Sequence, residues 1–188
     1  MKKQINFLQG STIALSFLAF LVFVISCSSN SQSTPPKALK TDIHSAVATN
    51  NIAAVKQFIE SKADLNVKDP IGGSSPLITA CLFGQAKIAG MLVDAGADLN
   101  FQNNDGSTAL LTAAFFCHPE IVKTLLEHKA NKSIKNKYGQ TAYASVAAPF
   151  TDVKSVYEML GKMLEPAGLK LDYDYIEKTR PVVAALLK

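Results

Sequence analysis

The stretch that decides the fold is "IAGMLVDAGADLN", residues 88–100. It returns as "IVKTLLEHKANKS" at 121–133, and "AVKQFIESKADLN" precedes it at 54–66, so neighbouring copies start about 33 residues apart. A second motif recurs in step with the first, and its copies are "KTDIHSAV" (40–47), "SSPLITAC" (74–81), "STALLTAA" (107–114) and "QTAYASV" (140–146). Self-similarity at a fixed period of this length indicates a stack of repeated units that share one elongated core.

Each period can be interpreted as two helices. Hydroxyl side chains stand at the entry of the first helix, at Ser75, Thr108 and Thr141, where they can accept a hydrogen bond from an otherwise unpaired amide. Pro119 suits the first turn of a second helix, because the missing N–H costs nothing there. Gly96 suits the C-cap of the preceding second helix. The pattern therefore predicts helix pairs joined by short loops.

These units resemble ankyrin repeats, whose period is about 33 residues and whose signature is T-P-L-H-x-A. The resemblance rests on "ADLN", which occurs twice, "DGSTAL" and "YGQTAY", and it covers roughly residues 39–188. It implies an all-α ankyrin-repeat solenoid, in which stacked helix pairs carry β-turn loop tips. The expected repeats are 39–69, 70–102, 103–135 and 136–172, followed by a cap at 173–188.

The fourth repeat is longer than the others. "LEPAGLKLD" (164–172) matches "LVDAGADLN" (92–100), which leaves a surplus of about six residues around "APFTDVKS". Continuing the register puts Pro181 at the entry of the next first helix. We therefore expect "RPVVAALLK" to be the first helix of an incomplete fifth unit that serves as a C-terminal cap.

The N-terminus is typical of an export signal. Lys2 and Lys3 precede an apolar run from Thr12 to Ile25, too short to span a bilayer comfortably. The run ends in "VISC", which resembles the lipobox of bacterial lipoproteins and implies cleavage before Cys27 and attachment of lipid, such as palmitate, to that residue. We expect a signal peptide at 1–26 and a flexible tether at 27–38. A plain signal peptide or an anchor helix is the alternative.

By the same resemblance, Ser28 lacks the aspartate that often retains lipoproteins at the inner membrane. The resemblance therefore implies an outer-membrane anchor that faces the periplasm of a bacterial cell envelope. The chain of 188 residues has a formal net charge of +4, and removal of the signal peptide would take away two lysines. So small a charge does not suggest binding to nucleic acid.

The stretch "LTAAFFCHPE" (111–120) raises the possibility of catalysis, because Cys117 and His118 are adjacent. Neighbours at a helix-to-helix turn do not aim at one point and no third group orients the base, so we expect no enzyme. A zinc site that adds His128 lacks ligand pairs at short spacing. Cys81 and Cys117 lie on neighbouring first helices, about 10 Å apart, which favours two reduced thiols over a disulfide. We expect no metal and no cofactor.

The candidate partner-binding residues fall into two groups. By resemblance, ankyrin proteins use the end of the first helix, on the concave face, to hold partners, and the large apolar residues there are Leu82, Phe83, Phe115 and Phe116. The alternative is that some of them are core between repeats. The loop tips complete the surface with Asp69, Ile71, Asn103, Asp105, Lys137 and Tyr138. The resemblance also implies that His44 bonds nearby backbone and fixes a turn.

The sequence contains no enzyme motif such as G-x-S-x-G or H-E-x-x-H. The leading hypothesis is a membrane-anchored, monomeric, non-enzymatic module whose concave ankyrin face binds a protein of unknown identity in the envelope. One alternative is an immunity protein that neutralises a toxin or secreted effector. Another is a structural or stress-protective envelope factor. Fold alone does not choose among them, because ankyrin stacks bind many unrelated targets.

Overall fold

The computed structural model describes residues 42–70 and 72–188, so the predicted signal peptide and tether lie outside it. Within this part the chain is all-helical and contains no β-strand, as the sequence predicts. The elements are α1 (Ile43–Ala48), α2 (Ile52–Glu60), α3 (Pro76–Leu82), α4 (Ala86–Asp94), α5 (Ala109–Phe115), α6 (Pro119–Glu127), α7 (Ala142–Ala147), α8 (Phe150–Leu164), a 3₁₀-helix (Glu165–Ala167) and α9 (Tyr173–Leu187). No helix in these two ranges combines the length and apolarity that a membrane span requires.

The first helix of every unit begins at a side-chain cap. Ser75, Thr108 and Thr141 each accept a hydrogen bond from the backbone N–H three residues later, with donor–acceptor distances of 3.2–3.3 Å. Asp42 caps α1 in the same way. Each cap satisfies an amide that the helix itself leaves unpaired, so the predicted entry positions are confirmed.

The four helices from α3 to α6 are each followed by a residue with left-handed backbone. Gly84 and Cys117 follow α3 and α5 with φ of 66° and 60°, and Gly96 and Lys129 follow α4 and α6 with φ of 86° and 65°. This conformation costs an L-residue roughly 1–2 kcal/mol, whereas glycine adopts it freely. Cys117 and Lys129 therefore occupy glycine positions of the repeat.

The stack has two layers and one continuous core. In one layer α1, α3, α5 and α7 pack side by side, and in the other α2, α4 and α6 do the same. α2, α4 and α6 each contact the first helix of their own unit, and α4 and α6 also contact the second helix of the preceding unit. The buried apolar side chains between the layers run without interruption from Ile43 to Leu187.

The fourth unit departs from the predicted order. α9 packs against α7 and against α6, which are the contacts expected of the second helix of that unit. Pro181 lies within α9, so the expectation that it begins a separate helix of a fifth unit is wrong. The proline removes the N–H that would bond the carbonyl of Glu177, and Glu177 is exposed, so water can bond that carbonyl. On the opposite side of the helix the buried Ile176, Val183 and Leu187 hold α9 to the stack.

Candidate protein-binding surfaces

The predicted concave patch is covered by the chain itself. Leu82, Phe115 and Phe116 are only 3%, 5% and 2% exposed, and Phe83 is half-buried at the edge of the same cluster. The residues of α8 that cover them are Val156, Tyr157, Leu160 and Leu164. The expectation of an open apolar groove is therefore wrong for the first three residues. The core alternative holds for them, because α8 lies across the ends of α3 and α5.

A buried polar network fixes α8 in this place. The Tyr157 hydroxyl donates to the carbonyl oxygen of Phe115 at 2.6 Å and accepts from the guanidinium of Arg180 at 2.8 Å. Arg180 also donates to the carbonyl oxygen of Ala148 at 2.9 Å. The rings of Tyr157 and Phe115 stack with centroids 4.9 Å apart. Burial raises the pKa of Tyr157, so the hydroxyl stays protonated and α8 stays tied to α5 and α9.

The side of α8 that faces away from the cluster is polar. Its exposed residues are Thr151, Asp152, Lys154, Ser155, Glu158 and Lys162. Lys154 and Glu158 form an exposed i,i+4 ion pair of 3.9 Å, which contributes little to stability. The molecule thus presents a hydrated helix face where the sequence predicts aromatic side chains.

Cys117 and His118 do not form a reactive pair. Both cysteines are buried and free, and the thiol of Cys117 has only weak contacts, at 3.8 Å, with the carbonyl oxygens of Phe115 and Ile176. Burial raises the pKa of Cys117 to about 11, opposite to the lowering that an activated nucleophile needs. Burial lowers the pKa of His118, whose ring packs where a Cβ on Gly84 would lie. The arrangement is structural.

Two of the predicted tip residues hold their own loops together. The carboxylate of Asp69 accepts from the N–H of Gly72, and the amide oxygen of Asn103 accepts from the N–H groups of Asp105 and Ser107 at 3.0 and 2.8 Å. Asn136 does the same in the following loop, with distances of 3.0 and 2.9 Å. Sequence reasoning missed Asn136, although it occupies the position of Asn103 in the next repeat. These three side chains therefore stabilise the conformation of their own loops.

The loop tips are linked from one repeat to the next. The N–H of Asn104 donates to the carbonyl of Gly72 at 2.8 Å, and the N–H of Lys137 donates to the carbonyl of Asp105 at 2.9 Å. Burial raises the pKa of Asp105, and the charge of Lys137 opposes that shift. Burial, together with the charge of Asp105, raises the pKa of Tyr138. Asp105, Lys137 and Tyr138 therefore form one cluster, the tip ledge, whereas Ile71 lies outside the described residues.

His44 has the structural role that the resemblance implies. Its Nε2 lies 3.1 Å from the carbonyl oxygen of Val67, so the ring bridges α1 to the segment before the next loop. Within residues 42–70 and 72–188, no three histidine, cysteine or acidic side chains are grouped closely enough to hold a metal ion.

Capped first helices, left-handed closing residues and linked loop tips together define an ankyrin-type repeat array. A family model described as "Ankyrin repeats (3 copies)" matches residues 43–156. That range is more than half of the chain, so the protein belongs to the ankyrin-repeat family. Ankyrin repeats are protein-interaction modules, so membership of the family indicates that this chain is a protein-interaction module.

Two kinds of relatives support the assignment. The chain is similar to the ankyrin repeat domain of Bcl-3, a member of the IkappaB protein family, whose crystal structure is known. The two sequences are 30% identical and the TM-score is 0.54, and the match covers 63% of this chain and 50% of the Bcl-3 chain. Protein phosphatase 1 regulatory subunit 27 of Homo sapiens and that of Mus musculus are each 38% identical over 64 residues, which are 34% of this chain. The match spans 41% of those relatives' length.

Proposed function

We propose that this protein is a lipid-anchored, non-enzymatic module of the bacterial cell envelope that binds another protein through its tip ledge. The observation that carries this proposal is the position of α8. Leu82, Phe115 and Phe116 are unavailable beneath it, whereas the loop tips remain at the surface on a rigid scaffold.

The tip ledge has the composition of a small recognition site. Lys137 is exposed and Tyr138 is half-exposed, and tyrosine is among the residues that dominate binding energy at interfaces. The hydrogen bond from Lys137 N–H to Asp105 holds the loop to its neighbour, so little loop ordering is needed on binding. A preorganised tyrosine with a flanking charge pair supports recognition of a protein surface.

The membrane anchor is supported by the sequence alone. "VISC" with Cys27 as its last residue, the short apolar run before it and the polar tether at 27–38 fit lipid attachment at an outer membrane that faces the periplasm. Tethering raises the local concentration of the module, so a modest affinity would suffice. The similarity to the phosphatase regulatory subunits supports only the proposal that this chain binds a protein, because the match covers less than half of their length.

The binding proposal can be tested by affinity capture. The chain from residue 28, which keeps every residue of both buried clusters, is used as bait for envelope extract beside two double variants. We expect one stoichiometric partner to be captured by the wild type and by Thr151→Glu/Ser155→Glu on the exposed face of α8, and to be lost with Lys137→Glu/Tyr138→Ala. Loss only with the α8 variant would move the site to that helix.

The identity of the partner would refine the role. Capture of a toxin or secreted effector would establish this chain as an immunity protein. Capture of a diffuse set of envelope proteins, equally by all baits, would contradict binding at the tip ledge and would leave a structural or stress-protective factor.

The anchor is tested separately by metabolic labelling with an alkyne fatty acid in a diderm bacterium. Label on the wild type that disappears in Cys27→Ser is expected, and label on both or on neither would contradict lipidation at Cys27.

A further inference from the structure

One edge of the stack, where the third unit leads into the fourth, is strongly basic. Residues 128–141 contain four lysines and no acidic residue. No acidic side chain of the described residues forms an ion pair with any of these lysines, and Lys132 donates instead to the backbone carbonyl of Lys188 at 3.0 Å. We call this group the basic edge, and its members, all exposed, are Lys129, Lys132, Lys135 and Lys137.

The positive charge is particular to this segment. The equivalent segment of the preceding unit, residues 95–108, contains Asp98 and Asp105 and no basic residue, so the formal charge changes from −2 to +4 between the two segments. Asn131 stands in the place of Asp98, and each of them accepts the N–H of the second residue after it at 2.9 Å. The turn is therefore kept while its negative charge is lost, so the fold of the repeat does not account for the change in charge.

The neighbouring loop holds the basic edge in a fixed shape. The N–H of Asn131 donates to the side-chain oxygen of Asn100 at 2.9 Å, and the side-chain N–H of Gln102 donates to the carbonyl of Lys135 at 3.2 Å. Together with the backbone bond of Lys137, these contacts tie the segment to the preceding unit at three points. Eight residue steps separate the first lysine from the last, so the edge is at most about 28 Å long.

We propose that the basic edge binds an acidic segment of the same protein that the tip ledge recognises. This inference rests on the proposed function and adds the chemistry of the partner. Lys137 belongs to both surfaces, so the edge leads directly to the half-exposed Tyr138. Opposite charges attract each other over about 10 Å in salt, so the edge would guide an acidic partner towards the adjacent ledge.

An extended polypeptide fits the edge better than a membrane does. A chain in strand conformation advances about 3.3 Å per residue, so about eight residues would cover the edge. A lipid surface laid against these lysines would also cover Lys137, which the proposed partner site requires to be free. Exposed ion pairs are individually weak, so the edge contributes to the rate of association and to discrimination against basic partners more than to affinity.

A titration followed by nuclear magnetic resonance tests the basic edge without the unidentified partner. The probe is a blocked octapeptide of alternating glutamate and serine, which is added to the isotope-labelled chain from residue 28. We expect amide shifts concentrated in residues 128–138 and a dissociation constant on the order of 1 mM at low salt, weakening at least about fivefold when NaCl rises to roughly 0.2 M. A peptide of alternating lysine and serine should cause no shifts there. Absence of shifts with the acidic peptide would overturn the proposal.

Two charge-reversal variants with the same net charge locate the site. Lys129→Glu/Lys135→Glu should abolish binding of the acidic peptide. Lys62→Glu/Lys68→Glu changes the equivalent positions of the first unit, which are also exposed, and should bind like the wild type. Lys62 and Lys129 both have left-handed backbone, with φ of 56° and 65°, so any effect on folding is matched as well, and circular-dichroism melts check it. Equal weakening in both variants would show general charge attraction and would overturn a site at the basic edge.

Two further outcomes separate this inference from its alternatives. A wild-type chain that co-sediments with vesicles of phosphatidylethanolamine and phosphatidylglycerol through Lys129 and Lys135, but does not respond to the acidic peptide, would overturn the acidic protein in favour of a lipid surface. A captured partner that is lost with Lys137→Glu/Tyr138→Ala and retained by Lys129→Glu/Lys135→Glu would support the tip ledge and overturn only the basic edge. Loss of that partner with both variants is the expected result.

Discussion

Replacing Tyr157 with phenylalanine is the sharpest test of how α8 is held. The change removes one oxygen and almost no volume, so the stacking on Phe115 is kept. It removes the donor to the carbonyl of Phe115 and the acceptor of an N–H of Arg180, and both residues are buried. The variant therefore reports on hydrogen bonding with little contribution from packing.

The expected cost follows from these two groups. A hydrogen bond to a charged partner contributes about 1.5–3 kcal/mol, and the bond to the carbonyl of Phe115 contributes about 0.5–1.5 kcal/mol. Partial relaxation of the site would recover some of both, so we expect Tyr157→Phe to lower the free energy of unfolding by about 2–4 kcal/mol.

Arg180→Met is the matched comparison. It removes the buried charge, whose Nε finds no partner in the described residues, and the Tyr157 hydroxyl keeps its bond to Phe115. The carbonyl of Ala148, which also loses a donor, belongs to an exposed residue. We expect a loss of about 1 kcal/mol or less, because a buried charge is replaced by an apolar side chain of similar length.

Urea unfolding followed by circular dichroism would measure the wild type, both single variants and the double variant. Since the two residues share a hydrogen bond, the two single losses together should exceed the loss of the double variant by about 1–3 kcal/mol. A Tyr157→Phe variant within about 0.5 kcal/mol of the wild type, or fully additive losses, would refute the network as the element that secures α8.

Three further predictions concern the helix ends and the thiols. Gly90→Ala should raise the free energy of unfolding by about 0.5–1 kcal/mol, because glycine is unfavourable inside α4 and the added Cβ meets nothing within 4 Å. Gly96→Ala should lower the free energy of unfolding by about 1 kcal/mol, because the φ of 86° is strained for alanine. Urea unfolding measures both variants, and equal effects would contradict this dependence on backbone conformation. Lys129→Gly should be stabilising by about 1 kcal/mol, and a loss in the same assay would contradict strain at φ 65°. Burial raises the pKa of both Cys81 and Cys117, so the contribution of the two thiols to stability is full below the unfolded pKa of 9.0. It falls as pH rises above that value, and the contribution of Cys117 is lost as pH passes its folded pKa of about 11. Urea midpoints between roughly pH 8 and 10.5 should therefore fall less steeply in Cys81→Ala/Cys117→Ala, and equal slopes would contradict the raised pKa values.

The regular part of the fold could be predicted because its signals are local. Thr108 and Thr141 cap helices as their hydroxyls and their register require, and Cys117 adopts the left-handed backbone of the glycine whose place it takes. Such features depend on a few neighbouring residues and repeat along the chain. Asn136 could have been found in the same way, from its spacing to Asn103.

The arrangement of the last unit could not be predicted because two segments compete for one place. Both α8 and α9 carry an apolar face, and "LEPAGLKLD" suggests that the helix before it is the second helix of the unit. Only tertiary packing gives that place to α9 and leaves α8 to cover Phe115 and Phe116. Arg180 adds to the difficulty, because an arginine on the buried side of a helix argues against burial until its partner Tyr157 is known.

The crossing of α8 over two units changes how this repeat protein should unfold. In a simple stack each repeat contacts only its neighbours, so the array can fray one unit at a time from either end. Here Tyr157 joins α5 of the third unit to α9, and Leu82 of the second unit belongs to the same cluster. The C-terminal half cannot open stepwise without breaking that shared cluster. Amide hydrogen exchange should therefore show α5, α8 and α9 opening together as one cooperative block, while α1 and α2 exchange independently at the other end.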